Sequence, residues 1–166
     1  YSGSLTIPEL INGTKILSIG NGACAFGKIT SLDLSSTKIE VIEDSSFVLC
    51  RSLREVRFPQ TLLSIGLNAF GACSLSRIDL PASLEYFTGF SFNQNPLNTL
   101  NVDSNSNFFV SINDYILTAN LTELVRAPVR IKSYAEIPHF SKITTLSVGV
   151  FTGCHIQKFV ATSNLS

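Results

Sequence analysis

Phe26, Phe47, Phe70 and Phe92 recur 21, 23 and 22 residues apart, and each closes a segment that looks like its neighbours. Self-similarity at a period of roughly 20 to 50 residues is the mark of a repeat array. In such an array one unit cannot bury its own apolar face and does so only by stacking on the next. The chain is therefore expected to wind as a solenoid.

The repetition extends well beyond one letter. Ile29-x-x-Leu32-x-Leu34, Leu53-x-x-Val56-x-Phe58-Pro, Leu75-x-x-Ile78-x-Leu80-Pro and Leu97-x-x-Leu100-x-Val102 begin 24, 22 and 22 residues apart. Each start is followed by a hydroxyl or amide residue in one column (Thr37, Thr61, Ser83, Asn105) and a large apolar residue (Ile42, Ile65, Phe87). The Phe comes next, and Cys50, Cys73 or Asn95 follows it by three.

Side-chain direction turns these columns into a shape. In Glu55-Val56-Arg57-Phe58, alternation puts Val56 and Phe58 on one face and the charged pair on the other, as in a short half-buried strand. Coils stacked about 5 Å apart bury each apolar column against its copies and line the strands into a parallel sheet along one side. Ile19-Gly20 and Ile65-Gly66 read as turns that exploit glycine's conformational freedom, and Ala69-Phe70 reads as an aromatic plug.

Taken together, Leu-x-x-Ile-x-Leu-Pro followed by Leu-x-x-Ile-Gly-x-x-Ala-Phe-x-x-Cys resembles the leucine-rich repeats of the BspA type. Leu53 to Cys73 matches almost position for position, and Leu75 to Asn95 matches with Phe87-Thr88 in place of Ile-Gly and Ser91 in place of Ala. Ile29 to Cys50 matches without the proline or the Ala-Gly pair. Residues 107–138 resemble that family's irregular insert, and Leu146 to Cys154 resumes the ordinary pattern. The resemblance implies a single leucine-rich repeat solenoid, with short parallel strands on one face and turns and short helical or 3-10 segments opposite. Its coils are expected near 1–28, 29–52, 53–74, 75–96, 97–120 and 121–155, with a partial coil at 156–166. It further implies a surface protein of bacteria or parasitic protists, attached to host or neighbouring cells, at the cell surface or outside the cell. A cytoplasmic home stays open.

Composition sets the partner class. Of 166 residues 45% are hydrophobic and 14% charged, with 12 basic against 12 acidic, so there is ample core and no clustered basic surface for nucleic acid. No run approaches the ~18 apolar residues of a membrane span, and no signal peptide opens the chain. The chain begins at Tyr1, lacks Met and ends at Ser166 within what would be another repeat, so it is expected to be a portion of a longer protein. Neither end looks like a cap, which leaves their core faces to flanking repeats or to partner molecules.

Cys50 and Cys73 share a column of adjacent coils, within disulfide range, yet the column points inward, where free Cys packs as a small hydrophobe. Both readings stand at this point. Asn12-Gly-Thr14, Asn120-Leu-Thr122 and Asn164-Leu-Ser166 are glycosylation sequons, or chance triplets in an Asn- and Ser-rich chain.

Catalysis finds little to work with. His139 and His155 are the two histidines, and Cys154-His155 is a poor thiol-base pair because adjacent side chains point apart. Glu40, Glu43 and Asp44 read as a solvated turn, no phosphate loop or metal-ligand cluster is present, and no cofactor is expected. Function is instead sought on the outward strand positions. Ser4, Ser31, Glu55, Arg77, Thr99 form one column and Thr6, Asp33, Arg57, Asp79, Asn101 the other, with charges set to pair across strands. Asp33, Glu55, Arg57, Arg77, Asp79, Thr99 and Asn101, with Phe108 and Tyr115 of the insert, are the candidate contacts for a protein ligand of a host surface or extracellular matrix. Phe90 falls at the position of Asn68 and either projects outward beside Tyr86 or, as is more usual for such aromatics, packs under the irregular loop. An intracellular scaffold using the same face, or a spacer for another domain, are the other two readings.

Overall fold

The computed structural model describes residues 2–133 and 137–156. Over these the chain is a β-solenoid of about six turns with parallel strands and almost no helix. In chain order the strands are β1 (Ser2–Thr6), β2 (Leu10–Ile11), β3 (Thr14–Lys15), β4 (Ser18–Ile19), β5 (Lys28–Asp33), β6 (Val41–Ile42) and β7 (Glu55–Arg57). There follow β8 (Ser64–Ile65), β9 (Arg77–Leu80), β10 (Thr99–Val102), β11 (Phe109–Ile112), β12 (Tyr115–Thr118), β13 (Glu123–Arg126) and β14 (Thr145–Leu146). Short 3-10 turns span Gly89–Phe92 and Phe140–Lys142.

The front face carries β1, β5 and β7 in one parallel ladder and β9 with β10 in another. Leu5, Leu32 and Val56 are in register, as are Ile78 with Leu100 and Leu80 with Val102, so the inward columns meet as the alternation requires. The Ile-Gly positions are not turns. Ser18, Val41 and Ser64, with Ile19, Ile42 and Ile65, form a second parallel ladder of β4, β6 and β8, which Tyr86 extends by one bridge. Gly20 and Gly66 keep ordinary negative φ. What Gly66 supplies is space, because a Cβ there would sit 2.6 Å from the backbone nitrogen of Asp44 in the coil below.

Inside, the phenylalanine column is a stack. Phe47 and Phe70 lie 5.2 Å apart and nearly parallel, Phe70 and Phe92 5.5 Å apart, and all three are fully buried. Each such side chain contributes about 1.5–3 kcal/mol by leaving water. Phe26, which opened the series, does not belong to it and is 72% exposed. Five residues separate Ile42 from Phe47 and Ile65 from Phe70, and the same count from Ile19 reaches Cys24. Backbone bonding agrees, since Cys24 N–H donates to Ser46 O (2.8 Å) as Phe47 N–H donates to Ala69 O (2.7 Å). Phe26 instead aligns with Leu49, Ala72 and Gln94, the column held at φ of 54–62°.

The Cys/Asn column is a ladder of donors. Cys50 Sγ donates to Cys24 O (3.2 Å), Cys73 Sγ to Phe47 O (3.3 Å) and Asn95 Nδ2 to Phe70 O (2.6 Å), each reaching the plug position of the preceding coil. All four cysteines are free thiols, and burial pushes Cys73 up to about 12. The column ends with Cys154, whose Sγ donates to Pro128 O while His155 is exposed, so the adjacent pair does point apart.

The insert interrupts this regularity. β11 and β12 pair as an antiparallel hairpin across Asn113-Asp114, both at positive φ; β12 pairs antiparallel with β13, and β13 parallel with β14. Ser147 N–H meets Leu124 O as Gly66 N–H meets Ile42 O, and Ala127 N–H meets Val150 O as Phe47 N–H meets Ala69 O. Leu124 to Ala127 is three residues where Ile42 to Phe47 is five, so this coil's turn is two residues short. Gly89 and Gly149 close across the gap, where a Cβ on Gly89 would lie 2.6 Å from the Gly149 carbonyl carbon. Phe90 is drawn half under this contact rather than projecting freely, its N–H donating to Val148 O (3.0 Å).

Fully buried Arg126 fills what is missing, donating from Nη1 to Gly149 O (2.8 Å) and from Nη2 to Thr152 O (3.0 Å). In an ordinary coil the carbonyl equivalent to Thr152 is that of Gly71, which accepts the Leu49 amide at 2.7 Å. The guanidinium stands in for a backbone N–H that the short turn lacks. Burial pulls its pKa down, and no carboxylate is paired with it among the described residues.

Candidate functional site

The outward side chains of β5, β7, β9 and β10 form a polar strip. Ser31 sits opposite Glu55 and Asp33 opposite Arg57; Thr99 sits opposite Arg77 and Asn101 opposite Asp79, so seven of the candidate contacts share one surface. Their charges do not pair as the columns suggested. Arg57 Nε donates to Glu55 Oε1 (3.0 Å), and Arg77 donates to both Asp79 oxygens (2.7 Å each), along the strand rather than across it. Residues two apart on a strand share a face within reach of an arginine. The expected Glu55–Arg77 and Arg57–Asp79 pairs would span the step from β7 to β9, which belongs to no continuous ladder, whereas Asp33 does face Arg57 within the β5–β7 ladder and feels its charge. Crossing the step from β9 to β10, Asn101 Nδ2 donates to Asp79 Oδ1 at 2.8 Å.

Where the two ladders part, the surface opens. A cleft of about 570 Å³ is lined by Glu55, Arg57, Phe58, Gln60, Arg77 and Asp79. A second, of about 240 Å³, lies beside it between Phe58, Gln60, Asp79, Pro81 and Asn101. Arg77 and the Asn101 amide, both donating to it, hold Asp79 below the ordinary carboxylate range, and the Ser35 hydroxyl and amide do the same for Asp33. Both carboxylates are ionised at neutral pH and already oriented. Gln60 and Phe58 were not singled out from sequence. Phe58 is an inward column residue, 7% exposed, that lines both clefts.

The aromatic candidates separate. Phe108 is 40% exposed in the turn leading to β11, but Tyr115 is 3% exposed and belongs to the core of the insert with Leu117 and Leu124, so it is withdrawn as a contact. Both faces of β12 are covered, Tyr115 and Leu117 packing into the insert's own core and Ile116 between them into that of the regular coils. Neither lines the two clefts.

The remaining polar groups are structural in their contacts. Glu43 accepts from Asn21 N–H and Asp44 from Leu67 N–H, so two carboxylates of the acidic turn tie neighbouring coils instead of only facing water. Asn12 and Gly13, both at positive φ, make the tight turn between β2 and β3. Asn120 Oδ1 accepts from the Thr118 and Thr122 hydroxyls. Asn164 lies outside the described residues, as does all of 156–166 but its first residue. Among the described residues no three His, Cys, Asp or Glu side chains are grouped to hold a metal ion, and no helix is long and apolar enough to cross a membrane.

Comparison with known proteins agrees with this geometry. Residues 17–126 match, in six copies, the model of the BspA type leucine rich repeat region. The pneumococcal vaccine antigen PcpA superposes with a TM-score of 0.76 at 22% identity, over 89% of this chain and 37% of that one. A leucine-rich repeat protein from Eubacterium ventriosum gives 0.65 at 20% identity, over 98% and 48%. A leucine rich cell surface protein from Faecalibacterium prausnitzii gives 0.61 at 19%, over 85% and 44%. The chain spans less than half the length of each of these structures, and at such identities the likeness is one of fold. No protein of curated function matches it in sequence.

Proposed function

Because this chain belongs to the BspA-type leucine-rich repeat family, whose fold is generally a non-enzymatic binding module, we propose that it is a cell-surface adhesion module. It binds a host-surface or extracellular-matrix protein through the exposed front sheet. The observation that carries this reading is the broken ladder between β7 and β9. It leaves a cleft of about 570 Å³ walled by two oriented ion pairs, against a hollow of about 230 Å³ over the continuous β1-β5-β7 ladder. Two relatives in fold are described as a vaccine antigen and a cell surface protein, which supports the location.

The test reverses Arg57→Glu and Arg77→Glu together and measures binding of the chain to immobilised matrix and epithelial-surface proteins. Binding is expected to fall at least tenfold with the circular dichroism spectrum unchanged. Unchanged binding removes the sheet face from consideration.

The four free thiols favour a second reading, a scaffold in a reducing compartment. Intact mass of the natively produced protein separates the two, since glycans on Asn12 or Asn120 exclude the cytosol.

A further inference from the structure

Phe26 departs from its column in size and exposure. All four residues at this place in the coil share the left-handed φ, but Phe26 is the bulkiest and is 72% exposed, where Leu49, Ala72 and Gln94 are smaller or polar. Beside Phe26 lies a cleft of about 620 Å³ at the entry to the front strands, walled by Phe26, Leu49, Lys28 and Arg51.

The cations are placed by the repeat itself. Lys28 follows the left-handed Phe26 by two residues, and Arg51 follows the left-handed Leu49 by two, so successive coils set like charges side by side. Elsewhere on the front face each exposed arginine of the strands has a carboxylate, Glu55 for Arg57 and Asp79 for Arg77. Here none of the residues lining the cleft is acidic, and neither Lys28 nor Arg51 forms a salt bridge among the described residues. Two uncompensated cations flanking an exposed aromatic are complementary to a ligand that carries carboxylates around an apolar side chain.

We propose that this rim cleft docks an acidic peptide segment of a protein partner, its apolar side chain against Phe26 and Leu49 and its carboxylates on Lys28 and Arg51. The cleft stands apart from the front-face strip, sharing none of the residues of the β7–β9 cleft, so each can fail without the other.

The probe is fluorescein-labelled Glu-Asp-Leu-Phe-Asp-Glu, titrated with the chain and followed by fluorescence anisotropy. Saturable binding is expected, weakened at least tenfold by Phe26→Asn and by Lys28→Glu with Arg51→Glu. The Arg57→Glu/Arg77→Glu variant should bind the peptide as the parent does. Because asparagine tolerates left-handed φ, Phe26→Asn should fold, which a thermal melt verifies. The proposal is overturned if the peptide does not bind, if Phe26→Asn binds equally well, or if Glu-Asp-Gly-Gly-Asp-Glu binds as tightly. A sulfated oligosaccharide that displaces the peptide, and whose own binding is unaffected by Phe26→Asn, likewise overturns it by making the cleft a simple cation patch.

Discussion

Phe26 carries its own stability prediction. A left-handed φ costs an L-residue about 1–2 kcal/mol, and a side chain 72% exposed recovers little of that by burial. Phe26→Asn is therefore expected to stabilise the chain by about 1 kcal/mol, read as a higher urea midpoint at unchanged slope. A lower midpoint would mean that the ring packs more than its exposure indicates. Asp33 and Asp79 set the pH behaviour of the strip. Their folded pKa values lie below the ordinary 3.8, so their hydrogen bonds stabilise the native state above that value and are lost as pH falls through the lowered ones. The contribution of Asp33 and Asp79 to binding through the strip should hold steady on acidification from neutrality and be lost below 3.8, which biosensor titration at stepped pH of the parent beside Asp79→Asn would record. Loss of that contribution already near pH 6 would contradict its assignment to these two carboxylates.

At the scale of the element, the short coil of the insert depends on one side chain. Truncating Arg126 to Ala leaves the partly buried carbonyl of Thr152 without its donor, at about 1–3 kcal/mol, takes from Gly149 O one of two donors while the Thr152 N–H remains, and opens a cavity as well. Chemical denaturation should show a loss of several kcal/mol in total, with Arg126→Lys keeping only part of the stability, because one ammonium cannot reproduce the planar fork. A neutral outcome would mean that the turn closes without its guanidinium. The regular coils were legible in the sequence because stacking demands one residue type per column, and Ile42, Phe47 and Cys50 each report a fixed place in the coil. The first coil was misread because the letter Phe was followed rather than the count from Ile19, which leads to Cys24. Arg126 was illegible, since no periodicity says that a turn two residues short will draw a side chain into the backbone's role. Pairing on the strip was half legible. Alternation put Arg57, Arg77 and Asp79 on one face, but only side-chain geometry turned their contacts along the strands.

As a whole molecule, the chain is a stack with two unlike sides. The front carries a strip of polar residues opened by the break between β7 and β9; the other side carries the tight β4-β6-β8 ladder, whose column ends in the exposed Tyr86. Repetition governs the interior, and departures from it, at Phe26, at the ladder break and at the insert, are where the surface acquires shape. An array of this kind multiplies weak contacts, so avidity on a cell can exceed the affinity of any one cleft. The most direct test is saturable binding of the labelled chain to epithelial cells, with front and back faces altered separately. Arg57→Glu/Arg77→Glu is expected to lower binding at least tenfold while Tyr86→Ser leaves it unchanged. Equal binding by the parent and the front-face variant, or loss only with Tyr86→Ser, would contradict that expectation.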